Sequence, residues 1–206
     1  MKIIIKKCVT LIVFLLAALP LGPAMAYDEP PYHLVASKAS YEVRLYAPRL
    51  VAEVAYRGEG SGFQTLFSYI SGANISAQKL AMTVPVTESV KIRMTAPVAQ
   101  QQAGGQKVMQ FFLPPEFTAE SAPRPTNPAV SIKLLPAQYF AVITYSGHAS
   151  DGNFIRHHQL LRQMMERDGL TPLGPPVKAT YNGPFTLPFN RRNEAMFALD
   201  LTKRGS

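Results

Sequence analysis

The chain repeats itself once. Tyr41-Glu-Val-Arg-Leu-Tyr46, with the Val54-Ala-Tyr-Arg-Gly58 that follows, returns 89 residues later as Val130-Ser-Ile-Lys-Leu-Leu135 and Ile143-Thr-Tyr-Ser-Gly147. In that alignment Leu45 falls on Leu134, Ala52 on Ala141, Tyr56 on Tyr145 and Gly58 on Gly147, while Val43/Ile132, Arg44/Lys133 and Val54/Ile143 are like for like. Two copies at so long a spacing do not stack as a solenoid. They imply one pseudo-symmetric domain with a cleft where its halves meet.

Hydrophobic spacing fills in each half. Residues 41–46, 50–56, 107–113, 130–135, 139–145, 177–181 and 195–201 are short β-branched or aromatic runs bounded by Gly, Pro or Asn, the pattern of strands. Phe63, Leu66, Phe67 and Ile70 recur at helical spacing, and a second helix after Asp151 carries Phe154, His158, Leu161 and Met165 before stopping at Gly169. Each half therefore runs strand, strand, helix and further strands, an α+β domain with its helices packed on one side of a sheet or around a curved barrel. The Gln- and Gly-rich residues 100–106 read as a flexible hairpin end, and the Pro-rich residues 114–128 as an extended surface connection.

The first residues have another purpose. Lys2, Lys6 and Lys7 precede an apolar run from Cys8 to Leu19 that ends in Pro20-Leu-Gly-Pro-Ala-Met-Ala26, the layout of a secretory signal peptide cut after Ala26. Residues 1–26 are read as that signal and residues 27–206 as one domain, exported to a periplasm or outside the cell. Cleavage removes the only cysteine, so the mature domain relies on its core and not on a disulfide. The formal charge of +8 falls to +5 with the three lysines, spread along the chain and not gathered in a stripe. That distribution argues against nucleic acid and suits a few cations around an anionic small molecule.

A local echo lies between the halves, where Met82-Thr-Val-Pro-Val86 returns as Met94-Thr-Ala-Pro-Val98. That second copy, the Phe112-Leu-Pro114 stretch with its Pro-rich continuation, and Tyr181-Asn-Gly-Pro-Phe185 leading to Phe189-Asn-Arg-Arg-Asn-Glu194 resemble the SOUL, or haem-binding-protein, family. Tyr41-Glu-Val-Arg44 and Tyr69-Ile-Ser-Gly-Ala-Asn74 do so too, and the resemblance spans nearly the whole mature chain. It implies a distorted antiparallel β-barrel of two pseudo-symmetric halves, each with a flanking α-helix. It also implies non-covalent binding of haem (b-type) or another porphyrin, in a groove between the first helix and a loop late in the chain, here Tyr181 to Phe189.

A porphyrin is a flat apolar disc with two carboxylates on one edge, so it needs an apolar slot with cations at its mouth. Phe63, Phe67, Ile70, Met82, Met94, Tyr181, Phe185 and Phe189 are the candidates for the slot, and Lys79, Arg191 and Arg192 for the propionates. The same residues also fit a plainer description, as core stripe, gap-fillers and a strand tied to a turn through Glu194. Axial ligation of iron wants His, Met, Cys or Tyr. Of His33, His148, His157 and His158, only His158 shares an apolar stripe, where a hydrogen-bonded core histidine is the commoner outcome. Some animal relatives carry a histidine just after the Arg of the first strand; that place holds Leu45 here. A weak, five-coordinate or non-ligated mode is expected.

No nucleophile elbow, zinc-binding helix or phosphate loop is present. The leading reading is an exported tetrapyrrole carrier, scavenger or buffer. A binding module for another hydrophobic or amphipathic anion, and a tetrapyrrole-modifying enzyme, are the alternatives.

Overall fold

A computed structural model of the chain describes residues 28–58, 60–76 and 89–201. Residues 1–26, read above as a signal peptide, and two of the candidate ligand contacts, Lys79 and Met82, lie outside the described residues.

Among the described residues, eleven strands and two α-helices follow one another in the order β1 (Tyr32–Ser37), β2 (Glu42–Tyr46), β3 (Arg49–Tyr56), α1 (Ser61–Ile70), β4 (Asn74–Ile75), β5 (Val98–Ala103) and β6 (Gln106–Phe112). The second half follows as β7 (Arg124–Pro125), β8 (Val130–Leu135), β9 (Gln138–Tyr145), α2 (Asp151–Arg167), β10 (Pro172–Thr180) and β11 (Asn193–Leu199). Nine strands form one antiparallel sheet in the order β1-β2-β9-β11-β10-β5-β6-β3-β8, curled into a half-barrel, and β4 pairs with β7 apart from it. The fold is α+β with a barrel-like sheet, as the repeat and the resemblance imply.

Apart from the edge strand β1, the order reads the same from both ends once β2 is matched with β8, β3 with β9, β6 with β11 and β5 with β10. The register agrees residue by residue. Glu42↔Val142, Val43↔Ala141, Arg44↔Phe140 and Leu45↔Tyr139 join β2 to β9. Moved by the same 89 residues, they become the Glu53↔Ser131, Ala52↔Ile132, Val51↔Lys133 and Leu50↔Leu134 pairs of β3 and β8. A slip of one residue would turn every side chain to the wrong face.

Alternation along the strands divides the core in two layers. On the convex face, Leu50, Ala52, Val54, Met109 and Phe111 pack under α1 through Leu66, Tyr69 and Ile70. Val43, Ala141, Ile143, Ala195 and Phe197 pack under α2 through Leu161 and Met165. The concave face carries Tyr46, Val142, Ala179, Tyr181 and Met196 in one half, and Val51, Ala99 and Phe112 in the other. Helix α2 begins at Ser150, whose hydroxyl accepts from the Asn153 amide, satisfying a donor that the first turn leaves open. Helix α1 has no such side-chain cap; Gly60 at its N-cap is left-handed, with φ of 80°, a conformation glycine adopts without strain.

Three elements add to or differ from the sequence reading. Residues 100–103 continue β5, which pairs with β6 and with β10. Only Gly104 and Gly105, at φ of 57° and 77°, form the turn, the two-residue hairpin geometry that requires positive φ at both positions. The Pro-rich segment runs along the surface for most of its length, as read, but is anchored in its middle: Ala122 and Pro123 are buried, the Tyr69 hydroxyl donates to Pro123 O at 2.8 Å, and Arg124–Pro125 pairs with Asn74–Ile75. Strand β1, with no alternating pattern in its sequence, forms by pairing along β2 alone.

Candidate functional site

Strands β5 and β10 meet at the centre of the sheet through Lys178↔Gln100, Ala179↔Ala99 and Thr180↔Val98. Alternation sends Val98, Gln100, Lys178 and Thr180 to the convex face and Ala99, Val177 and Ala179 to the concave one. Each side of this strand pair carries a cavity.

The convex cavity, of about 300 Å³, is a groove bounded by Phe63 of α1, Met94 and Ala96 of the preceding loop, the strands above, and Tyr181 to Pro184 of the late loop. Helix α1 turns Leu66, Tyr69 and Ile70 into the core and leaves Phe63 and Phe67 about 40 % exposed at the rim. These two rings, one helical turn apart, stack at 5.9 Å with an interplanar angle of 12°, and Phe63 also meets Phe111 edge-on at 5.3 Å. The late loop adds Phe185, Leu187 and Phe189, which are 99 %, 56 % and 71 % exposed.

The structure thus gathers Phe63, Met94 and Tyr181 at the groove, with Phe67 beside Phe63. Phe185 and Phe189 project from the adjoining loop, and Ile70 is buried in the core below. The two arginines are occupied. Arg191 donates to Thr186 O at 2.7 Å and to Pro184 O, pinning the late loop. Arg192 lies 3.8 Å over the Tyr181 ring and pairs with Glu194 and Glu29 at 2.8 and 3.0 Å.

Glu194, with no exposed surface, is the hub of this network. It accepts from Arg44 at 3.0 Å, from Arg192, and from the Tyr181 hydroxyl at 2.7 Å. Burial and the neighbouring Glu194 carboxylate raise the Tyr181 hydroxyl far above its ordinary pKa, so it remains a donor. A buried carboxylate is tolerable only when its charge and lone pairs are met in this way.

Among the described residues, the cation that lines the groove is Lys178, 7 % exposed. Its ammonium meets Asp151 at the start of α2 at 2.9 Å and holds that carboxyl below its usual range. A charged residue between Val177 and Ala179 reads as solvent-facing in sequence, and nothing in its neighbourhood marks Lys178 as a groove residue.

No histidine lines the groove. His158 faces the sheet under α2, with its ring 5.0 Å from Phe154 and 6.1 Å from Phe197, and its buried Nδ1 has no protein hydrogen-bond partner. His157 stacks on Tyr145 at 4.0 Å, His33 is on β1 opposite Leu45, and His148 is exposed. Among the described residues, no group of three or more His, Cys, Asp or Glu could hold a metal ion, and no helix is long and apolar enough to cross a membrane.

The family described as SOUL heme-binding protein matches residues 27–198. The chain belongs to the SOUL family. Membership brings tetrapyrrole binding in general, and the family is a haem-binding and not a catalytic one. No curated protein sequence matches the chain significantly. Among solved structures, this SOUL protein resembles a hydrolase from Listeria innocua (TM-score 0.54, 12 % identity, covering 81 % of this chain and 94 % of that one). It also resembles the EcmrR C-terminal domain (TM-score 0.51, 12 % identity, 78 % and 98 % covered). At such identities the likeness is one of fold alone.

Proposed function

We propose that this SOUL protein is an exported carrier, scavenger or buffer of haem or a related porphyrin, held non-covalently in the groove between α1 and the β10 end. The observation that carries the reading is the convergence there of the Phe63/Phe67 stack, Met94 and the buried Lys178 ammonium beside a loop that presents Phe185 and Phe189 to solvent. A ring laid on Phe63 would be covered on its outer face by the loop aromatics, with a propionate directed to Lys178.

A larger cavity of about 700 Å³ lies beside Pro48 and Pro115, but its walls carry three carboxylates, Asp28, Glu29 and Glu120, against one cation, Arg49, an unfavourable balance for a dianionic edge. Among the described residues the groove offers Met94 as its only soft ligand, since the Tyr181 hydroxyl serves Glu194. The ring would therefore be read by its faces and carboxylates more than by its iron. Export is supported by the basic, apolar and small-residue layout of residues 1–26. Descent of the two halves from one duplicated unit is supported by the shared register of β2–β9 and β3–β8.

The charge at the mouth is tested by Lys178→Met. The variant should bind metal-free protoporphyrin about fivefold to tenfold more weakly than the wild type while binding its dimethyl ester equally well. Equal losses for acid and ester would assign Lys178 to structure and remove the propionate contact.

A further inference from the structure

The concave face of the sheet contains an arginine that has no counter-ion among the described residues. Arg49, at the start of β3, points into a cavity of about 160 Å³ whose walls come from both halves, among them Tyr46, Phe112, Phe140 and Met196. Its guanidinium carbon sits 4.3 Å from the Tyr46 ring centre, 5.4 Å from that of Phe112 and 5.7 Å from that of Phe140. Its Nε is buried with no hydrogen-bond partner, and among the described residues no Asp or Glu lines the cavity.

Glu194 is paired with Arg44 and Arg192, and Glu53 with Lys133 and Gln110. Arg49 also borders the larger cavity that Asp28, Glu29 and Glu120 line, but Asp28 pairs with Arg93 and Glu29 with Arg192, and none of the three forms an ion pair with Arg49. Burial pushes the Arg49 guanidinium down to about 10, still protonated at neutral pH. Three π faces compensate a desolvated cation only in part, and an apolar side chain of similar volume would cost less there. A planar fork of N–H donors held in an aromatic chamber is suited to one kind of guest, a flat molecule bearing a carboxylate.

We propose that the concave face is a second ligand site, in which Arg49 receives the carboxylate of a small monocyclic aromatic acid whose ring lies among Tyr46, Phe112, Phe140 and Met196. The size fits one ring, since an apolar cavity of about 150 Å³ takes up benzene. A tetrapyrrole cannot enter it. The site is also separate from the groove. The two cavities lie on opposite faces of the β5–β10 pair and share only Tyr181, so the proposal stands or falls independently of porphyrin binding.

Calorimetric titration of the purified protein with benzoate and with benzamide, its neutral isostere, tests this. Saturable benzoate binding at least about tenfold tighter than benzamide is expected, with the preference lost in Arg49→Gln and hemin binding by that variant unchanged. Crystals soaked with 4-iodobenzoate should place the iodine in the concave cavity, a readout that holds even if the variant does not fold. Equal affinity for the two probes, no saturable benzoate binding, or iodine located outside the cavity would overturn the proposal.

Discussion

At the scale of single residues, the polar groups of this protein divide by whether they are already answered. Arg192 and Glu194 stand two apart along the chain, so strand alternation puts both on one face and makes their pairing readable from the sequence alone. Arg191, one residue earlier, turns to the loop carbonyls instead. Neither has its charge turned to the groove, whereas Lys178, hidden in a strand pattern, reaches the groove and is held there by a single carboxylate, Asp151, which leaves further N–H donors on its ammonium. His158 is the opposite case, half-buried under α2 with its Nδ1 unpartnered. Burial, aided by the nearby Arg162 charge, lowers its pKa. The folded protein then keeps the ring neutral while the unfolded chain takes up a proton below pH of about 6.5. Its contribution to stability is complete above that pH and is lost as the pH falls toward the depressed folded value. His158→Gln should flatten the decline of the urea midpoint between about pH 7.5 and 5.5 and leave the Soret band of a hemin complex unshifted. An unchanged pH slope would show that His158 does not titrate as the fold demands.

At the scale of elements, α1 shows how one helical stripe can serve two purposes. Phe63, Leu66, Phe67 and Ile70 share a periodicity, yet only Leu66 and Ile70 are buried. The helix is set so that its aromatic edge faces the groove. Gly62 fixes that setting, because a Cβ there would come within 2.8–2.9 Å of the Tyr56 ring at atoms near the stem of the side chain. In an exposed helix Gly→Ala is stabilising by about 1 kcal/mol. Here the close approach reverses the sign, and Gly62→Ala should destabilise by roughly 1–2 kcal/mol in a denaturant titration; a gain in stability would mean that α1 can shift freely. Strand β5 is illegible in the sequence for a different reason. A Gln-rich run has little intrinsic strand preference, and it is extended because β6 and β10 pair with it on both sides.

At the scale of the whole molecule, the repeat is the most legible feature, because apolar alternation and an 89-residue offset already specify which strands correspond and in which register. What the offset does not specify is the junction of the halves. Both the groove and the arginine cavity lie at that junction, on the two faces of β5 and β10, where Lys178 and Tyr181 have no repeat signal to mark them. The groove is accordingly where tetrapyrrole binding should be probed. The measurement is a difference-absorbance titration with hemin and, in parallel, metal-free protoporphyrin, on the wild type and on Phe63→Ala/Met94→Ala. Saturable one-to-one binding of both porphyrins at similar strength, weakened at least about tenfold in the double variant, is the expected result. Binding that is unaffected by the double substitution, or absent for both porphyrins, would contradict the assignment of this groove to a tetrapyrrole.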